Sequence, residues 1–151
     1  MSSTEASAAG RGYRARVRSF PFVPRSAAQL EVGDFWTVTL SDGDRGVLQV
    51  RDLKRSGAGS RSSLVAGVVA WRGGRAPAAT DLRGCLVLKQ GLTDIRAFTE
   101  GGAQIIGHTS DTVPATGLTS LWRDHGIGTT TYVWGWKALA RVVEETLGAA
   151  A

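Results

Sequence analysis

Hydrophobic and polar positions alternate most regularly between Val32 and Asp52. Trp36, Val38 and Leu40 share one parity, and Thr37 and Thr39 the other. After the segment Ser41-Asp42-Gly43-Asp44-Arg45-Gly46, Leu48 and Val50 are opposed by Gln49 and Arg51. Period-two alternation on both sides of an Asp-Gly turn signal predicts a β-hairpin. One of its faces should pack inward and the other stay wet, as in an antiparallel sheet.

Other segments extend this pattern. Tyr13 to Phe22 interleaves Arg14, Arg16 and Arg18 with Tyr13, Ala15 and Val17, which suits an edge strand with a charged outer face, stopped by Pro21 and Pro24. Ser26 to Glu31 is too short to type. Lys54 to Ser62 reads as a basic connecting loop; Gly57 and Gly59 lack the Gly-Lys-Ser/Thr pattern of a phosphate cradle. Leu64 to Trp71 is a continuous apolar run, predicting a central strand covered on both faces. Asp81 and Leu82 can open a single helical turn, and Gly84 to Gln90 reads as another buried strand. Ile95, Ala97 and Thr99 alternate with Arg96 and Phe98, and Gln104 to Gly107 returns after Gly101-Gly102, which predicts a second hairpin. His108 to Thr131 shows no sustained period. From Trp136 to Leu147, Leu139, Val142, Val143 and Leu147 follow helical spacing, with Lys137, Arg141, Glu144 and Glu145 on the other face. That predicts an amphipathic helix ending near Gly148, whose stripe needs the open face of the sheet. The fold expected is α+β and mainly β: a strongly bent antiparallel sheet or small open barrel closed by the C-terminal helix. Residues 1–12 should form a disordered tail and 13–151 a single β-rich domain.

Composition changes this picture little. The 151 residues are 42% hydrophobic and 21% charged, as in a soluble globular chain, and the 20 glycines suit a turn-rich sheet. The formal charge of +5 is concentrated at the start, where Arg11, Arg14, Arg16, Arg18 and Arg25 face only Glu5. Of the 18 basic and 13 acidic residues, 13 and 12 are left for the body, which is therefore close to neutral. A basic arm can hold nucleic acid through the N-terminal arginines, or an acidic membrane surface; the small total favours a solvated tail. No apolar run is long enough to span a bilayer and no signal-like apolar segment stands near the start, so no membrane is expected and cytoplasm is the default location.

Candidate chemistry is sparse. The single Cys85, in the apolar run Cys-Leu-Val-Leu, excludes an internal disulfide and reads as a buried, inert thiol. His108 with Ser110 and Asp111, and His125 after Asp124, match no triad or metal spacing, and a structural role is favoured for both. No catalytic residue, cofactor or metal is therefore expected, although an enzyme with its site in 108–131 stays open as a minor alternative. Trp36 and Trp71 read as core; Trp122, Trp134 and Trp136 flank the long loop and the helix start, where rings also serve as interface anchors. Arginine beside an aromatic ring is the composition of a contact surface. Arg72, Arg75, Trp122 and Arg123 are therefore the expected partner-binding set, with a core Trp122 and solvated arginines as the alternative.

One resemblance adds to this reading. Val32-Gly33-Asp34-Phe35 with its strand, the Asp42-Gly43 turn and the return Val47-Leu48-Gln49-Val50 resemble family 26 of the polymorphic-toxin immunity proteins. Members commonly carry a Gly-Asp-aromatic strand, an Asp-Gly-x-x-Gly turn and a return strand ending near an Asp, where Asp52 stands here. The likeness covers Leu30 to Gly107 and carries over no catalytic residue. It implies a small cytoplasmic binding protein that neutralises a cognate toxin. Immunity proteins against nucleases are often acidic; this near-neutral body departs from that pattern, which argues against a nuclease partner. The alternative is a small basic nucleic-acid-binding β-barrel using the arm and the 54–61 loop.

Overall fold

The computed structural model describes residues 18–118 and 132–150. In chain order these form β1 (Asp34–Thr39), β2 (Arg45–Leu53), β3 (Ser63–Gly73), β4 (Leu86–Asp94), the single turn α1 (Arg96–Thr99), β5 (Gly107–His108), β6 (Val113–Pro114) and α2 (Leu139–Ala150). Short 3-10 turns occupy Ala27–Gln29, Ala79–Leu82 and Trp136–Ala138. The sheet runs β5-β1-β2-β3-β4-β6, antiparallel throughout except for the β4–β6 pair. Pairing shifts between Gly46 and Val47, between Val50 and Asp52, and between Val68 and Val69. Such bulges bend a strand and increase its twist, and the sheet curls into a half-barrel with α2 laid into it.

The concave face carries the larger core. Trp36, Leu48, Val50, Leu64 and Val68 meet Phe98, Ile105 and the helix residues Leu139 and Val143. The rings of Trp36 and Phe98 meet edge to face at 4.8 Å, an arrangement that adds to simple area burial. Gly46 gives α2 its seat: a Cβ there would stand 2.5 Å from Val143 Cγ1. The hairpin, the central strand β3 and the terminal helix thus stand where hydrophobic periodicity puts them. The helix continues through Gly148 to Ala150 rather than stopping near Gly148.

Three expectations are corrected. The convex face is not uniformly wet: Phe35, Val47, Val69, Leu82 and Val87 form a second, smaller core there, with Trp71 and Cys85 packed against it. Residues 96–99 are not a strand but the turn α1, so the hairpin expected from Ile95 to Gly107 does not form. Ile95 and Phe98, three apart, are both buried, and the Asp94 carboxylate accepts the Arg96 N–H as the turn begins; alternation over five residues cannot distinguish period two from helical spacing. Finally, Arg18 to Phe22 make no strand ladder; Phe22 forms only an isolated bridge with Ile105. Arg18 turns inward instead of lining a charged outer face. The expected tail 1–12 and residues 13–17 of the arm lie outside the described residues.

The two edges of the sheet differ. Along β4, one end pairs with β6 and the other with Tyr132 to Trp134, where Leu92 N–H donates to the Tyr132 carbonyl (2.9 Å) and Trp134 N–H to the Leu92 carbonyl (2.8 Å). The Trp134 ring lies on Gly91, whose missing Cβ would fall 2.6 Å from it. On the opposite edge β5 covers β1 at Asp34 and Phe35 alone.

Candidate functional site

Pairing of β5 with β1 sets His108 beside Asp34, residues that are 74 positions apart in sequence. Asp34 is fully buried, and a buried carboxylate is tolerated only when paired and hydrogen-bonded. Its Oδ1 accepts from Arg18 Nη1 (2.7 Å) and faces His108 Nδ1 (2.9 Å); Oδ2 accepts from Arg18 Nη2 (2.6 Å) and from the Glu31 N–H (2.9 Å). Those four contacts use the acceptor capacity of a carboxylate in full. The hydrogen bond to Asp34 holds the Arg18 guanidinium above its ordinary pKa, against the opposing effect of burial. Phe20 and Phe22 flank that guanidinium, with ring centroids 5.3 and 5.4 Å from its carbon.

With a carboxylate against Nδ1, the imidazole carries its proton on that nitrogen when neutral. Its other edge lies on Gly33, at φ +107°, where a Cβ would be 2.8 Å from His108 Cε1; only glycine fits both the backbone and the contact. His108 then borders a recess of about 240 Å³ together with Thr80, Arg83, Ser110 and Asp111. Among the described residues no hydroxyl or thiol is hydrogen-bonded to His108, and no group of three or more His, Cys, Asp or Glu could hold a metal ion. What the pair offers is an oriented imidazole rather than an assembled nucleophile and base.

A second polar network lies on the convex face. Buried Gln49 donates from Nε2 to the Thr109 carbonyl (2.8 Å), and its Oε1 accepts from Thr112 Oγ1 (2.8 Å) and Arg51 Nη1 (3.1 Å). Arg51 Nε donates in turn to Gln90 Oε1 (3.2 Å). The pairing shift at Val50/Asp52 leaves Arg51 as the extra residue. Its stem crosses Gly67, where a Cβ would be 2.7 Å from Arg51 Cγ and 2.6 Å from Val87 Cγ1. Burial holds the Arg51 guanidinium below its ordinary pKa.

Of the residues expected to bind a partner, Arg72 and Arg75 lie at the end of β3 and in the loop after it, both exposed. Arg72 is engaged within the fold: Nη2 meets Asp42 at 2.6 Å and Nε meets Asp44 at 3.1 Å, stapling β3 to the β1–β2 turn. The same turn is held from α2, where Glu144 accepts from the Ser41 N–H (3.0 Å) and hydroxyl. Trp122, Arg123 and His125 lie outside the described residues, so the four-residue set is placed only by half. In the basic loop, Lys54 and Arg61 are exposed and Arg55 donates to the Leu30 carbonyl (3.0 Å). Cys85 is half-buried rather than buried; desolvation and the nearby Asp81 raise its thiol pKa.

The Arg18–Asp34–His108 cluster is what residue-by-residue reading misses. Asp34 falls in the predicted hairpin and His108 opens the aperiodic stretch after Gly107, and only strand pairing joins them.

A wider recess, about 440 Å³, opens on the other side of the molecule between β1 and the start of α2. Thr37, Val38 and Thr39 form one wall, Trp136, Lys137 and Leu139 the other, and Gly101 and Gly102 lie at its border. No protein-family model, no curated protein and no solved structure matches the chain.

Proposed function

We propose that the chain is a non-enzymatic binding protein of the immunity kind, which neutralises a cognate bacterial toxin by holding it. The resemblance across Val32 to Asp52 supports this reading, as does the recess beside β1. The observation that carries it is how the buried polar groups of the sheet are used. Asp34 and Gln49 spend their hydrogen-bonding capacity on Arg18, His108, Arg51, Thr112 and the 107–112 backbone. Groups satisfied in this way fix a shape and leave recognition to the loops and edges around it. A toxin neutralised inside the producing cell places the protein in the cytoplasm, in keeping with the lack, among the described residues, of any helix long and apolar enough to cross a membrane.

Growth rescue tests the reading. A candidate toxin, the product of a toxin-like gene adjoining that of this chain, is expressed with and without it in a sensitive host. Rescue by the wild type, and equally by His108→Gln, is the expected result. Growth arrest despite abundant folded protein contradicts a neutralising role, and loss of rescue on H108Q alone, with the fold intact, contradicts a non-enzymatic one.

A further inference from the structure

We infer that the recess beside β1 receives an extended, carboxylate-bearing segment of the protein partner, added to the sheet as a further strand; this rests on the binding-protein reading above. The inference starts from the ladder. Leu40 N–H donates to the Asp44 carbonyl across the β1–β2 pair (2.7 Å), so in this antiparallel register Trp36, Val38 and Leu40 direct their main-chain groups toward β2. Phe35, Thr37 and Thr39 direct theirs to the opposite side. There the Phe35 carbonyl accepts the Ile106 N–H (3.0 Å), and β5 goes no further. The N–H and C=O groups of Thr37 and Thr39 therefore continue the line that β5 begins, and no group among the described residues pairs with them. An edge of this kind is a template for another strand.

Electrostatics narrow the occupant. Among the described residues bordering the recess, Lys137 is the one charged side chain. It belongs to the helical turn Trp136–Ala138 that leads into α2, so the positive end of the helix dipole lies on the same wall. Trp36 also borders the recess, and its buried indole N–H has no acceptor among the described residues. A buried donor of this kind is uncommon and unfavourable. Ammonium, helix start and indole are all donors or positive, so the matching segment is one that brings acceptors: a main-chain strand edge with an Asp or Glu side chain facing Lys137.

The probe is a blocked pentapeptide of alternating Val and Thr ending in Glu, titrated to millimolar concentration into the full chain and followed by amide and indole NMR shifts. Its Lys-ending counterpart serves as control. Thr39→Pro removes an outward N–H from an edge strand and leaves the inner ladder whole, and Lys137→Glu reverses the charge at an exposed position. The wild type should bind the Glu peptide, with shifts centred on Thr37, Thr39 and the Trp36 indole. T39P should weaken it by about tenfold or more, and K137E should prefer the Lys peptide. Absence of shifts at those groups, or equal binding by wild type and K137E, overturns the inference. A wild type that sediments as a dimer while T39P is a monomer also overturns it, since the edge is then taken by a second copy. Capture of the toxin undiminished by T39P and K137E removes the recess and leaves the binding reading standing; peptide binding without toxin capture does the reverse.

Discussion

Asp34 shows how much a single buried charge can demand of its surroundings. Its carboxylate organises Arg18, Glu31 and His108, which come from three separate segments of the chain. Asp34→Asn removes the buried counter-charge of Arg18 and leaves it only the exposed Glu31 carboxylate at 3.4 Å, and breaking a buried pair in this way costs about 3–5 kcal/mol. Urea denaturation of D34N should show a loss of that order, whereas a loss typical of surface changes would mean the cluster is dispensable. Gly67 makes a similar demand sterically. Gly67→Ala drives a methyl into Arg51 and Val87, and overpacking of this kind costs about 1–3 kcal/mol; the same assay checks it. Neither requirement is legible in the sequence, because Gly33, Gly67 and Asp34 carry ordinary turn and strand signals. What makes them special is a neighbour brought in from elsewhere: His108 for Gly33, Arg51 for Gly67, Arg18 for Asp34.

The elements that were legible are those whose pattern runs long enough to fix a period. β1 with β2, the continuous apolar run of β3 and the stripe of α2 all qualify. Ile95 to Thr99 does not, and it folded as a turn because Ile95 and Phe98 both reach the core. The wet face expected of the hairpin also failed, since Thr37, Gln49 and Arg51 look solvent-bound until Leu82, Ile106 and the 109–112 segment cover their neighbours. The β1–β2 turn is held by exposed groups, and acid should loosen it. Asp42 lies below the usual 3.8, first through the Asp44 N–H and then Arg72; Glu144 lies below 4.5 through the Ser41 hydroxyl and N–H. Lowered folded-state values stabilise the protein above the unfolded pKa, and the gain is lost as pH falls through the folded ones. Stability measured downward from pH 5 should therefore fall, and the fall should be shallower in Arg72→Ala and Glu144→Gln. Parallel wild-type and variant curves would show that the staple contributes nothing, a common outcome for surface pairs.

For the molecule as a whole, asymmetry between the two sheet edges is the feature that most suggests a purpose. The β4 edge is capped at both ends by later segments of the same chain, whereas among the described residues β1 is left open beside a recess bordered by the helix start. Hydrophobic periodicity could predict a bent sheet closed by a helix, but not which edge would stay uncovered, because the strands doing the covering are two residues long. The polar network on the convex face ties β2 to β4 and to the 109–112 segment and so stiffens the side opposite the helix. On the binding reading proposed above, the β1 edge, unpaired among the described residues at Thr37 and Thr39, is where a partner docks. Calorimetric titration of this chain with a purified candidate toxin, taken from a toxin-like gene next to its own, tests that most directly. One-to-one binding with a negative heat-capacity change, accompanied by loss of the toxin's activity, is the predicted result. No heat of binding and an unaffected toxin, with the chain folded throughout, would contradict it.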